Sequence, residues 1–176
     1  MTHNAFNFRN QHILDYLNVL TSGISHNTAH QGCTLIEEAD FQGHWQAATV
    51  WSTIQAVTND AINNGHGNDP LTIADINERL VLDGHIKKDE LKTFWLNFVS
   101  PLQVPKPLGA EHLPTLARRI IEDHFRTRHS DVFSNGISHT APLADLCQQM
   151  DNDRQTLIGI YQRCLLYTSL SGLARQ

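Results

Sequence analysis

Cysteine is scarce in this chain, with Cys33, Cys147 and Cys164 as the three thiols among 176 residues. Three scattered cysteines are too few for a disulfide framework, and none forms a Cys-x-x-Cys pair. This count excludes the disulfide-stapled secreted domains, and we expect reduced thiols in a reducing compartment.

Long apolar runs are also missing. No run approaches the roughly 20 residues that a helix needs to cross a bilayer, and the first thirty residues lack a basic start followed by a hydrophobic block. We therefore expect a cytoplasmic protein without membrane association. Hydrophobic residues make up 40% of the chain and charged residues 18%, which is typical of a globular domain with its own core.

The short motifs that identify many enzymes do not occur. The chain contains no His-Glu-x-x-His, no Glu-x-x-His pair, no glycine-rich phosphate loop and no Gly-x-Ser-x-Gly. Its eleven histidines are dispersed over the chain. No family and no reaction class is therefore indicated directly.

Charge is distributed unevenly around a formal net value of −5. Residues 1–83 contain nine acidic and two basic residues, whereas residues 84–130 contain eight basic and five acidic residues. We therefore expect one basic face on an acidic protein.

Apolar residues recur at steps of three and four, whereas the alternation typical of strands is nearly absent. The sequence predicts an all-α fold, a single irregular bundle of about six helices. The longest is a central helix near residues 40–64, with Asp40 as N-cap and Gly65 as the terminating glycine. The others are expected at 11–20, 72–83, 87–99, 114–129 and from Pro142 onward.

Apolar stripes on two of these helices predict core positions. The stripe of the central helix consists of Ala47, Val50, Trp51, Ile54, Val57, Ala61 and Ile62. The stripe of the last helix includes Met150, Leu157, Ile158 and Tyr161. Both sets are expected to face inward.

The end of the chain reads Cys-Leu-Leu-Tyr-Thr-Ser over residues 164–169. This hexapeptide resembles the translation of a transposon mosaic-end sequence used to tag DNA libraries. We therefore expect residues 164–176 to be a non-native tail. Residues 1–163 would then be a single helical domain that forms the N-terminal part of a longer protein.

A spacing of four, three and four residues separates His26, His30, Cys33 and Glu37. On one helix these side chains would share a face, and imidazole, thiolate and carboxylate groups are common zinc and iron ligands. Gly32 and the neighbouring asparagine and threonine instead favour a loop followed by a capped helix.

The segment Gly-Ile-Ser-His occurs twice, ending at His26 and at His139, and no longer repeat accompanies it. If the two loops share an end of the bundle, His26, His30 and His139 are the best candidates for a ligand site. With Cys33 or a water they would hold a divalent metal, or when protonated they would contact an anion. The sequence does not choose between these alternatives.

A charged run places Arg118 and Arg119 beside Glu122, Asp123 and His124. Paired arginines suit an anionic ligand, and a histidine near carboxylates suits a general base. The same spacing also gives ion pairs four residues apart on a solvated helix face, and this reading is favoured.

Residues 72–99 have the outline of a helix-turn-helix, but the second helix lacks a row of side chains suited to base edges. An ordinary helical hairpin is favoured, and we do not expect nucleic acid as a partner.

Two hypotheses remain for function. One is a helical binding or regulatory module whose partner is a protein or a missing C-terminal domain. The other is the N-terminal helical portion of a larger enzyme, whose histidine loops contribute to a metal or anionic-substrate site.

Overall fold

A computed structural model describes residues 3–100, 108–134 and 142–173. The described chain is all-α and contains no strand, which confirms the predicted class. The α-helices are α1 (His3–Leu20), α2 (His26–Cys33), α3 (Trp45–Asn63), α4 (Ile73–Leu82), α5 (Asp89–Phe98), α6 (Leu113–Ser134) and α7 (Leu143–Leu173). Short 3-10 helices lie at Glu38–Phe41, His85–Lys87 and Ala110–His112.

Helix α2 is the element that the sequence did not predict, and the expected loop at this position is wrong. The Ser25 hydroxyl accepts the backbone N–H of Thr28 and caps the helix. Gly32 is tolerated because it lets α2 pack closely against α1, where the Tyr16 hydroxyl donates to the Gly32 carbonyl at 2.5 Å.

The central helix begins later than predicted and is not the longest. Gly43 has a φ of +75°, a conformation that interrupts a helix, so Glu38–Phe41 forms a separate 3-10 helix. The predicted N-cap role of Asp40 for α3 is therefore wrong. Helix α3 has 19 residues, whereas α7 has 31.

The core lies where α1, α2, α3 and α6 meet. Its largest fully buried side chains include Tyr16, Leu17, Leu20, Phe41, Ile54 and Ile121. The predicted stripe on α3 is confirmed for Ala47, Val50, Trp51 and Ile54, which are all buried. Val57 and the two residues at the end of the stripe, Ala61 and Ile62, are half-buried.

The predicted stripe on the last helix is wrong for Met150, Ile158 and Tyr161, which are exposed, whereas Leu157 is half-buried. Met150 is 65% exposed and Tyr161 is 52% exposed, whereas Ile160 is buried. Helix α7 packs mainly along α6, and several of its described apolar side chains, including Leu165 and Leu166, are exposed. The helix continues through Arg163 without a break, and the predicted tail boundary at that residue stays a prediction.

Among the described residues, no helix combines the length and apolar character that crossing a membrane requires.

Two helical glycines should respond to alanine in opposite ways. At Gly32 an added methyl group would lie 2.6 Å from Leu20 Cδ2 and 3.1 Å from Leu113 Cδ1, both in buried side chains. We expect Gly32→Ala to lower the free energy of unfolding by about 1–3 kcal/mol through overpacking.

The matched substitution Gly159→Ala lies on α7, where nothing approaches the added methyl group within 4 Å. Alanine there should raise the free energy of unfolding by about 0.5–1 kcal/mol, because glycine is the poorer helix former. Urea denaturation of both variants provides the measurement. A stabilising Gly32→Ala would contradict the close packing of α1 and α2.

Candidate functional site

A fully buried carboxylate, that of Asp40, joins three elements of the fold. Its side chain is 0% exposed. Asp40 Oδ1 lies 2.6 Å from Nδ1 of His124 on α6. The guanidinium of Arg163 on α7 donates to both carboxylate oxygens, at 2.7 and 2.9 Å. The Asp40 carboxylate also accepts the backbone N–H of Glu37 at 2.9 Å.

The local sequence explains why Asp40 is presented in this way. Glu37 and Asp40 form a capping box that closes the first turn of the 3-10 helix, so the carboxylate is fixed by its own backbone. Phe41, which follows, is buried in the core. The 3-10 helix therefore holds the Asp40 carboxylate in an orientation that faces α6 and α7.

The partners of Asp40 keep it ionised. Burial disfavours the charged carboxylate, but the hydrogen bonds from His124, Arg163 and the Glu37 backbone outweigh burial and lower the pKa of Asp40. Burial likewise disfavours the Arg163 charge, yet the hydrogen bond to Asp40 and the nearby carboxylates raise the pKa of Arg163. Asp40 and Arg163 are therefore a charged pair at neutral pH.

The ionised carboxylate also sets the state of the His124 ring. A carboxylate can only accept, so Nδ1 of His124 carries the hydrogen and donates it to Asp40. In the neutral ring Nε2 is then an acceptor. His124 is 7% exposed, and Nε2 has no hydrogen-bond partner among the described residues.

A cavity of about 550 Å³ lies beside His124, between the 3-10 helix, the start of α3, and helices α6 and α7. Phe41, Trp45 and Ala48 supply its apolar and aromatic walls. His124 lines this cavity while its Nδ1 is held by Asp40. The cavity therefore has one rigidly held polar group in its wall.

Five further polar side chains line the same cavity: Glu38, Gln42, His44, Arg128 and Thr156. The Gln42 Oε1 atom is buried and has no hydrogen-bond partner among the described residues. Arg128 lies at the border, with its Nη2 atom 3.7 Å from Asp153. Glu38 is exposed and takes part in no ion pair within the described ranges.

A smaller cavity of about 430 Å³ shares Trp45 with the first and is also lined by Lys88, Asp89 and Glu90. The Lys88 ammonium lies over the Trp45 ring, 5.4 Å from its centroid. This distance is that of a cation–π contact. Trp45 itself is 39% exposed, so its indole is accessible from solvent.

The predicted metal ligands lie together on α2 but not as a metal site. Within the described ranges, no three histidine, cysteine or carboxylate side chains are placed to hold a metal ion. His26 and His30 each have a buried Nδ1 without a partner among the described residues. Burial raises the pKa of Cys33 to about 12, so its thiol stays protonated and is a poor metal ligand.

The other predicted site residues are not brought to the cavity. His139 and the second Gly-Ile-Ser-His segment lie outside the described residues, and their part in a ligand site stays a prediction. Arg118 forms the expected ion pair with Glu122, at 3.5 Å, and Arg119 is exposed on α6. Asp123 pairs with Arg126 at 2.9 Å rather than with Arg119.

Sequence reasoning found one member of the buried cluster and missed two. His124 lies in the charged run described above, whereas Asp40 is predicted as a helix cap and Arg163 is given no role by the sequence. The capping box of Glu37 and Asp40 was the available signal, because it marks a separate turn before Gly43. Nothing local indicates that Asp40 and Arg163 meet.

Comparison with protein-family models, with curated proteins and with solved structures finds no match to this chain.

Proposed function

We propose that this chain is a helical module that binds a small organic molecule in the cavity beside His124. The observation that carries the proposal is the histidine itself, which is buried, is fixed by Asp40 at 2.6 Å and lines a cavity of about 550 Å³. Ligand sites in proteins typically have about 300–1,000 Å³, apolar walls and a few fixed polar groups. The volume and the apolar side chains of this solvent-open cavity match that description.

The energetic cost of the cluster supports a role beyond stability. Taking Asp40 and Arg163 out of water carries a desolvation penalty, and well-packed apolar residues commonly stabilise such a position equally well or better. A polar cluster does something that apolar packing cannot do, since it holds the His124 ring in one orientation and one tautomer. Such preorganisation lowers the cost of binding a ligand.

A second candidate function is proton transfer, as the helical portion of a larger enzyme. The short contact between Asp40 and His124 supports it, because a buried carboxylate on Nδ1 fixes the orientation and the tautomer of the ring, as in a catalytic histidine. In this function His124 would take a proton from a hydroxyl group or water held in the cavity.

Filling the cavity tests the proposed function. Ala48 lines it, so Ala48→Phe should occupy the space that a ligand needs. Ala74→Phe on the exposed surface of α4 is the matched control, with the same substitution far from the site. A library of small organic fragments is screened by thermal shift against the wild type and both variants.

We expect some fragments to raise the melting temperature of the wild type and of Ala74→Phe but not of Ala48→Phe, since binding to the folded state stabilises it. Fragments that stabilise all three proteins alike bind elsewhere. If no fragment distinguishes Ala48→Phe from the control, the proposed function is wrong.

A further inference from the structure

We infer that an exposed stripe of α7 binds a second copy of this chain, so that two α7 helices pack antiparallel in a symmetric dimer. The inference is independent of the cavity beside His124. It is carried by the apolar side chains of the stripe, by two opposite charges among them and by the sizes of the side chains that the symmetry brings together.

The α7 stripe consists of Cys147, Met150, Ile158 and Tyr161, which are all exposed. Steps of three, eight and three residues separate them, so they share one side of the helix. Met150 is 65% exposed and Tyr161 is 52% exposed, whereas Ile160 is buried on the side that packs along α6. Single exposed apolar side chains are normal, but a contiguous set with polar neighbours is typical of an interaction surface.

Two opposite charges lie in the middle of the α7 stripe. Asp151 and Arg154 are exposed and form no ion pair within the described residues. A two-fold axis between residues 152 and 153 brings Asp151 of each copy opposite Arg154 of the other, so both pairs attract when the helices are antiparallel. In parallel helices each residue would face its own copy, and like charges would repel. The charges of the stripe are therefore complementary to a second copy in one orientation.

Side-chain size follows the same antiparallel register. Around that axis Ile158 lies opposite Cys147 of the second copy, and Tyr161 lies opposite Ala144. Each large side chain thus meets a small one, which is what interdigitating helix surfaces require. One segment, 144–161, supplies both halves of this match, so a second copy fits it better than an unrelated helix does. The segment ends before residue 164, and the surface is independent of the predicted non-native tail.

The oligomeric state of the full chain in solution tests the inference. We expect sedimentation equilibrium to show monomers at low concentration and dimers at high concentration, in reversible exchange. A chain that stays monomeric at every concentration overturns the inference.

A charge exchange assigns the dimer to the α7 stripe. Arg154→Asp places like charges opposite each other at both crossings, and so does Asp151→Arg, so each should raise the dimer dissociation constant at least about tenfold. The double variant Asp151→Arg/Arg154→Asp restores opposite charges and should dimerise like the wild type. Lys92→Asp on the exposed surface of α5 makes the same change in net charge as Arg154→Asp and should leave the dissociation constant unchanged.

The double variant also separates this inference from a loss of folding, because it contains both substitutions and is expected to associate. If it dimerises as weakly as the single variants, Asp151 and Arg154 do not face each other. If Lys92→Asp weakens the dimer as much as Arg154→Asp, the charges act at long range and the α7 stripe is not the interface.

A cross-link tests the antiparallel register. Ile158→Cys introduces a thiol opposite Cys147 of the second copy, so diamide should oxidise the two thiols to a disulfide between the chains. Asn152→Cys is the matched control, an exposed position about 120° around α7 from Ile158. We expect covalent dimers to form much faster from Ile158→Cys, with peptide mapping locating the bond between positions 158 and 147. Equal rates, or a bond to Cys164 instead, would contradict the register.

Discussion

Asp40→Asn is expected to lower the free energy of unfolding by about 3–5 kcal/mol, the cost of breaking a buried ion pair from one side. The substitution keeps the size of the side chain but removes the charge that balances Arg163. It also replaces one of the two acceptor oxygens by an NH₂ group, so one of the two pairs of donors, His124 with Arg163 or Arg163 with the Glu37 backbone, loses its acceptor. Urea denaturation at neutral pH measures the loss.

An exposed carboxylate serves as the control for this substitution. Asp60 lies 2.8 Å from Arg79 and is 61% exposed, so its ion pair is screened by solvent. Asp60→Asn should cost less than about 1 kcal/mol. If the two variants lose similar amounts of stability, the ion pair of Asp40 with Arg163 is not the buried interaction that the structure describes.

The pH dependence of the free energy of unfolding provides a second measurement on Asp40→Asn. The folded state lowers the pKa of Asp40, so its stabilising contribution is complete above the pKa in the unfolded chain, about 3.9. That contribution is lost as the pH falls through the lower pKa of the folded state. The stability difference between wild type and Asp40→Asn should therefore be largest near neutral pH and should shrink below about pH 4.

Trp51→Ala is expected to lower the free energy of unfolding by about 3–5 kcal/mol, as large truncations in a core do. Trp51 is 6% exposed, and its ring centroid lies 5.5 Å from that of Phe41. Losing the indole would therefore empty the space under the 3-10 helix that carries Asp40. Ser52→Ala, at the adjacent exposed position, should change stability by less than about 0.5 kcal/mol.

Trp51→Phe separates packing from hydrogen bonding at the same position. The Trp51 Nε1 atom is buried and has no partner among the described residues, so its removal abolishes an unsatisfied donor. Phenylalanine should therefore lose much less stability than alanine. Chemical denaturation of all three variants checks this order, and a Phe variant as unstable as the Ala variant would mean that the indole N–H is bonded.

The helical class was predictable because its signal is local. The stripe of α3 at Val50, Trp51 and Ile54 repeats every three or four residues, and the buried face follows directly from that period. The capping box of Thr72 and Asp75 likewise marks the start of α4, as predicted. Such features depend on neighbours within one or two turns.

The wrong predictions concern α2 and α7, whose structure depends on tertiary contacts. Helix α2 contains a glycine and polar residues with low helix propensity, and it forms because Ser25 caps it and α1 packs on Gly32. Helix α7 carries more apolar residues than can pack against α6. Ile160 is buried there, whereas Ile158 is exposed. Neither outcome can be read from the periodicity of one segment.

The candidate site was unpredictable for a related reason. His124 contacts a residue 84 positions away, and Arg163 contacts the same residue across 123 positions. No spacing rule connects charges at that separation, and a single sequence offers no covariation. Only the last α-helix, with its long run along α6, brings Arg163 to Asp40.

The distance in sequence between Asp40 and Arg163 has a consequence for biosynthesis. A ribosome adds about 5–20 residues per second, so the arginine is made roughly 6–25 s after the carboxylate that it pairs with. During that interval the Asp40 carboxylate lacks the arginine that balances its charge. The early helices therefore emerge with this side of the core still open, and closure around Asp40 waits until α7 has left the exit tunnel.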